Sequence, residues 1–208
     1  MNKQKKVYEN IIFDLGGVLV NWDPVAYCKH IFKDHDRATE KIEHWKGIFN
    51  TEIGCDLERG FITREQAVKQ LPKKYDKKEF LFLLENVHKF LYPLKRGLEI
   101  FDMVKKQGYK TFVLSNFQKE TFEESKHQYD FLKDFDGSVF SYQTKSMKPE
   151  PKIYQTLLDT YALNPNTSLF IDDMKINIEG AKRFGIDGIV CKDHDYLLDT
   201  LVAVGILE

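Results

Sequence analysis

Three short apolar runs in this chain each end in side chains that can carry chemistry. Each run is followed directly by a polar group: Asp14 after residues 11–13, Ser115 and Asn116 after 111–114, and Asp172 and Asp173 after 168–171. Runs rich in β-branched and aromatic residues are typical of strands buried on both faces of a parallel sheet. In an open α/β sheet, ligands bind beyond the carboxyl ends of such strands. The pattern therefore predicts a parallel sheet with one functional edge.

Each of these groups also has an ordinary structural explanation. Aspartate is common in turns, and the polar groups after the later runs could cap the helices that follow. Lys148, within the segment SMKPEP, could be one of many solvated lysines. The order Asp, Ser, Lys, Asp-Asp along one chain favours a shared site over four unrelated features.

The pattern of apolar residues changes after the first predicted strand. Residues 21–91 show helical periodicity and no strand, with predicted helices at 25–31, 38–49, 64–71 after a Thr63 N-cap, and 77–90. The remainder alternates strands and helices, as parallel βαβ units do. We therefore predict a doubly wound α/β core, formed by residues 1–20 and 92–208, with a helical cap domain inserted at 21–91.

Composition excludes several kinds of partner. The 208 residues carry a net charge of -1 and no basic stripe, so no electrostatic argument favours nucleic acid. No apolar run approaches the length of a membrane span, and the polar N-terminus does not resemble a signal peptide. Cys28, Cys55 and Cys191 are widely spaced, which suggests reduced thiols. We expect a cytoplasmic protein, and its oligomeric state stays open.

Four segments together resemble the motifs of the haloacid dehalogenase-like hydrolases. They are FDLGGVLV, VLSN, SMKPEPKIY and FIDDMKINIEGAKRFGI. Within that superfamily the sequences of these motifs are most similar to those of the small sugar-phosphate and glucose-1-phosphate phosphatases, and of the N-terminal phosphatase domain of soluble epoxide hydrolase. The resemblance implies a Rossmann-like core and a Mg²⁺-dependent phosphatase that hydrolyses a small phosphorylated metabolite, such as a sugar phosphate, through a phospho-aspartate.

The resemblance also implies a role for each polar group. They are Asp14 as nucleophile, Lys148 as the neutralising cation, Ser115 with Asn116 as phosphate ligands, and Asp14, the Gly16 carbonyl, Asp173 and Asp172 as metal ligands. The chemistry agrees, because a dianionic ester approaching a carboxylate needs a divalent cation and a fixed ammonium. A hard ion such as Mg²⁺ suits oxygen ligands, and no His or Cys cluster has zinc spacing.

Gly16 departs from the family pattern. Phosphatases of this family usually carry a second aspartate two residues after the nucleophile, where it protonates the leaving oxygen. Its absence predicts a preference for leaving groups that depart without help, unless a cap residue supplies the proton. Asp23, on the flap after the first strand, and Glu58, in the cap, are the candidates.

The cap is expected to select the substrate. Its polar candidates are Glu58, Arg59 and, on the flap, Trp22 and Asp23, and we assign Arg59 to substrate binding. The six histidines show no partner pattern and receive no role. Trp45 and Phe49, four residues apart on a predicted helix, are interpreted as cap core and not as a stacking platform.

Two other functions use the same residues. A dehalogenase-type hydrolase would also use an aspartate nucleophile but needs no metal. Asp172 and Asp173 disfavour it, because adjacent carboxylates facing Asp14 would repel one another unless a cation lay between them. The second alternative is a non-catalytic binding or regulatory protein that has lost the acid at position 16.

Overall fold

Five parallel strands form the central sheet of the computed structural model, which describes residues 7–32, 41, 43, 45 and 47–208. They are β1 Asn10–Phe13, β2 Lys110–Ser115, β3 Gly137–Phe140, β4 Ser168–Asp172 and β5 Asp187–Val190. Their order, β3-β2-β1-β4-β5, places β1 at the centre, with β2 and β4 as its neighbours. The winding direction therefore reverses between β1 and β4, where open α/β sheets place their ligand sites.

Side chains alternate between the two faces of this sheet. Ile11 and Phe13 contribute to one hydrophobic cluster, whereas Ile12 belongs to a second cluster on the opposite face. All three side chains are fully buried. This explains why the strand is apolar at every position, since both faces are covered by helices. The predicted doubly wound α/β core is confirmed.

Helices of different lengths connect and follow the strands in the described part of the chain. They are α1 Pro24–Phe32, α2 Glu52–Glu58, α3 Arg64–Gln70, α4 Lys77–Asn86, α5 Lys95–Lys106, α6 Lys119–Ser125, α7 Ser141–Thr144, α8 Pro151–Tyr161, α9 Lys175–Lys182 and α10 His194–Ala203. Short 3-10 turns lie at Val87–Phe90, Lys126–Gln128, Asp130–Asp134 and Pro165–Thr167. None of the helices in the described part of the chain has the length and apolar character that crossing a bilayer requires.

The helices between β1 and α5 have a hydrophobic cluster of their own, distinct from the two that cover the sheet. Trp45 stacks on Phe80 with ring centroids 5.2 Å apart, and Phe49 lies against the same ring at 6.1 Å. Both residues are therefore part of this core, as the sequence predicts. The separate cluster supports our proposal of a cap domain, and its boundaries at residues 21 and 91 stay a prediction.

The largest difference from the predicted elements is α2. Sequence periodicity predicted no helix over Glu52–Glu58, because the segment is short and contains Gly54, which lowers helix propensity. Thr63 forms the predicted N-cap of α3, in a reciprocal capping box with Gln66. The predicted helix 38–49 begins outside the described residues, and residues 47–49 are helical. The tail 1–6, His35 and His44 also lie outside them.

Candidate active site

Three carboxylates meet at the carboxyl ends of β1 and β4. Asp14 directly follows β1, Asp172 ends β4 and Asp173 comes next in the chain. Phe13 pairs with Ile171 across the two strands, so this register brings the acids side by side. One oxygen from each of the three lies within 4.8 Å of the others. The structure therefore brings these three predicted residues together, and their roles stay a prediction.

Lys148 neutralises part of this charge. Its side chain is 1% exposed, and Nζ lies 2.9 Å from Asp14 Oδ1 and 2.6 Å from Asp172 Oδ2. Nζ also donates to the Leu114 carbonyl at 2.9 Å, so all three ammonium directions have an acceptor. Burial opposes the charged form, but the two carboxylates outweigh it and raise the pKa of Lys148. The side chain is therefore a fixed cation.

Asn116 holds the backbone that carries this lysine. Its Nδ2 donates to the Lys148 carbonyl at 3.0 Å, and its Oδ1 accepts from the Lys148 amide at 2.7 Å. The side chain therefore positions Lys148, and its predicted contact with phosphate stays a prediction. Ser115, which ends β2, is 2% exposed. Burial raises the pKa of the neighbouring Asp14 carboxyl, whereas Lys148 and Ser115 oppose the rise.

Asp172 and Asp173 differ in their surroundings. Asp172 is fully buried and accepts from the Met174 amide at 2.8 Å and from Asn177 Nδ2 at 3.0 and 3.1 Å, besides its pairing with Lys148. Asp173 is partly exposed, so the two carboxyls differ in their burial. Asn177, in the first turn of α9, was missed in the sequence, where its only signal is its place five residues after Asp172.

The charges of this cluster do not balance. Three carboxylates against one ammonium leave an excess of two negative charges when all are ionised. Like charges at such separations repel strongly in a buried site. Oxygen donors with an excess of two charges are what hard divalent cations prefer. The residues present therefore fit such an ion.

Gly17 lets Asp173 approach the nucleophile loop. Its φ is 70°, and a Cβ added there would lie 2.8 Å from Asp173 Oδ2. Gly108 offers a matched control, since its φ is 87° and a Cβ there would meet nothing within 4 Å.

We expect Gly108→Ala to lower the free energy of unfolding by roughly 1–2 kcal/mol, the usual cost of a left-handed residue. Gly17→Ala should cost at least about 1 kcal/mol more, because Asp173 must also move. Urea denaturation of both variants measures the difference. Equal losses would contradict the close approach of Asp173.

The surroundings of position 16 do not require a glycine there. A Cβ at this position would lie 3.6 Å from Trp22 Cβ, an ordinary contact, and no positive φ is imposed. A Cβ would therefore be accommodated at this position. Asp23, one candidate for the missing acid, is exposed and accepts from the Ala26 amide at 2.8 Å. It caps α1.

Arg59 forms ion pairs instead of facing open space. Its Nε and Nη2 lie 2.9 and 2.5 Å from Glu150 Oε1, and Nη1 lies 3.2 Å from Asp56 Oδ1 and 3.4 Å from Glu52 Oε1. Burial works against the ionised form of Glu150, but hydrogen bonds from Arg59, the Met147 amide and Ser146 lower its pKa. The guanidinium thus bridges the cap to the Lys148 loop, and its predicted contact with substrate stays a prediction.

Comparison with known proteins identifies a family and several relatives. A family model described as haloacid dehalogenase-like hydrolase matches residues 11–191. The phosphorylated carbohydrates phosphatase of Thermotoga maritima is 28% identical, over 87% of this chain and 83% of its own. The D-ribitol-5-phosphate phosphatase of Bacteroides thetaiotaomicron is also 28% identical, over 86% of this chain and 89% of its own.

Solved structures of similar fold include a family enzyme in complex with magnesium and phosphate, and a dehalogenase. A family enzyme from Bacteroides thetaiotaomicron, in complex with magnesium and inorganic phosphate, has a TM-score of 0.66 at 24% identity and covers 91% of this chain and 98% of its own. The L-2-haloacid dehalogenase of Xanthobacter autotrophicus has a TM-score of 0.66 at 16% identity, covering 97% and 85%. At these identities the likeness shows the fold alone.

Proposed function

The chain belongs to the haloacid dehalogenase-like hydrolase family, and from that premise we propose that it is a Mg²⁺-dependent phosphatase acting on small phosphorylated metabolites. One observation carries the proposal: three carboxylates lie within 4.8 Å of one another, and a single buried ammonium contacts two of them, Asp14 and Asp172. A site with this excess of negative charge is suited to a divalent cation and then to a phosphate ester.

Asp14 is the nucleophile of this proposal. The Leu15 amide donates to its Oδ1 at 2.7 Å, and Lys148 contacts the same oxygen, so the carboxylate is held in one orientation. Attack on phosphorus forms a phospho-aspartate and releases the alcohol, and water then hydrolyses the intermediate. Dividing the reaction in this way replaces one difficult step by two easier ones.

Asp14, Asp173 and the Gly16 carbonyl would hold the metal. When bound, Mg²⁺ supplies charge neutralisation and polarisation of the phosphoryl oxygens. We propose that Asp172 positions Lys148 and not the ion, because both of its oxygens already accept hydrogen bonds. Ser115 would bind the phosphate, and Asn116 would support it by fixing the Lys148 loop.

The relatives support a proposal for the substrate class. Two relatives that match most of this chain are named for phosphorylated carbohydrates and D-ribitol 5-phosphate. We propose a sugar or polyol phosphate, with Arg59 near the substrate-facing side of the cap.

The metal-independent dehalogenase remains the second candidate, because L-2-haloacid dehalogenase shares the fold. The charge excess argues against it, since that reaction gives the cluster no ion to balance the adjacent acids.

A substrate panel distinguishes the two. With Mg²⁺ we expect release of inorganic phosphate from sugar phosphates, and excess chelator should lower the rate at least about tenfold, since the cation neutralises the transition-state charge. Added Mg²⁺ should restore it. Fluoroberyllate, which mimics the phosphoryl group, should raise the melting temperature only with Mg²⁺ present. Halide release from 2-haloacids that is indifferent to chelator would contradict the proposal.

A further inference from the structure

The strand ends supply no proton for the leaving oxygen. Position 16 is glycine, and all three donor directions of Lys148 are occupied by Asp14, Asp172 and the Leu114 carbonyl. Asp172 is saturated with hydrogen bonds in the same way. A phosphatase built on these groups alone would release an alkoxide, which is a poor leaving group without an acid.

Glu58, the last residue of α2, lies on the core loops that carry the site. Its carbonyl accepts from Ser141 Oγ at 2.7 Å, and the same oxygen of Ser141 accepts from the Phe117 amide at 2.9 Å. Ser141 directly follows β3, and Phe117 lies two residues beyond the end of β2. The Ser141 hydroxyl therefore connects the Glu58 backbone to the loops that follow the neighbouring strands β2 and β3.

The next two residues strengthen this attachment. Arg59 pairs with Glu150, two residues after Lys148, and Lys145 donates to the Gly60 carbonyl. A Cβ at Gly60 would lie 3.0 Å from Tyr142 Cβ, so the backbones are in close contact. Residues 58–60 are thus docked against the edge of the sheet where Asp14 and Lys148 lie.

The Glu58 backbone is in contact with the loops beyond β2 and β3, which places the start of its side chain beside the site. Burial raises the pKa of its carboxyl to about 7, and the positive charge of Lys148 opposes the rise. In the part of the chain that the structure describes, its carboxylate oxygens form no hydrogen bond or ion pair. The nearby charges are otherwise engaged, since Arg59 pairs with Glu150, Asp56 and Glu52. Glu58 is half-buried, and a carboxyl with a pKa of about 7 is partly protonated near neutral pH.

We propose that Glu58 is the general acid of the reaction. This residue of the cap takes the role of the acid that is missing at position 16. The inference rests on the proposed phosphatase function. As Asp14 bonds to phosphorus and the ester P–O bond breaks, the Glu58 proton moves to the leaving oxygen and gives the neutral alcohol. The Glu58 carboxylate then takes a proton from water as that water attacks phosphorus, which releases phosphate and restores both carboxyl groups.

Leaving groups of different acidity test this assignment. Glu58→Gln keeps size and polarity but has no acidic proton, and Glu52→Gln, on the exposed face of the same helix with a side chain 80% exposed, is the control. Single-turnover rates are measured with an alkyl phosphate and with an aryl phosphate whose phenolate departs unaided. We expect Glu58→Gln to lower the alkyl rate by about 10²-fold, the lower end of general acid catalysis, and the aryl rate only a few-fold. Glu52→Gln should change neither.

A rescue variant keeps the test decisive. Gly16→Asp in the Glu58→Gln background should recover the alkyl rate at least about tenfold, because it supplies another acid. Equal losses on both esters, or no recovery with the aspartate while melting temperatures are unchanged, would overturn the role of Glu58. That result leaves the phosphatase proposal standing, since wild type would still release phosphate. A wild type no more active than Asp14→Asn would remove both.

Discussion

Asp14→Asn is expected to lower the single-turnover rate of phosphate release by on the order of 10⁴-fold or more, the scale of loss when a covalent nucleophile is removed. The amide has the same shape but cannot form the phospho-aspartate. The fold should persist, because removing one charge from a cluster of three carboxylates relieves repulsion. The free energy of unfolding is therefore expected to stay equal or to rise.

Rapid-quench assays and urea denaturation of the same preparation measure both quantities. Asp23→Asn is the matched control, since Asp23 caps α1 from the exposed flap and asparagine is an equally good N-cap. It should keep wild-type activity. Undiminished phosphate release by Asp14→Asn would eliminate the covalent mechanism, whatever happens to stability.

The placement of Asp14 and Asp172 could be predicted because it follows from local sequence. A fully apolar strand needs both faces covered, which is typical of a parallel sheet, and parallel strands that end in functional groups place them at one edge. Once β1 and β4 are neighbours, the acids after them must meet. Lys148 is less constrained, since it lies in a loop. Only the order of the four motifs connects it to the strand ends.

The supporting contacts could not be predicted in the same way. Asn116 contacts Lys148 across 32 residues, and Arg59 contacts Glu150 across 91. Such pairs depend on how the cap docks on the core loops, and no local periodicity encodes that geometry. The same holds for Glu58, which as a sequence position resembles any charged residue before a glycine. Its contact with the core loops is a property of the assembled fold.

Lys148→Ala is expected to lower kcat by on the order of 10³-fold, the upper range for loss of one electrostatic stabiliser. It should also lower the free energy of unfolding by about 3–5 kcal/mol, because removing one partner leaves buried charges uncompensated. Asp14 and Asp172 would then face each other without the ammonium between them. Steady-state kinetics and urea denaturation measure the two effects separately.

Lys152→Ala is the control, because that lysine is exposed at the start of α8, four residues along the chain. It should change neither quantity appreciably. Lys148→Arg should recover little activity, since a planar guanidinium cannot replace one compact ammonium that meets Asp14, Asp172 and the Leu114 carbonyl in three directions. If arginine restored activity, charge alone would be sufficient and the three-way geometry would have no catalytic value. If both variants kept wild-type kcat, Lys148 would be only a structural counter-ion for Asp172.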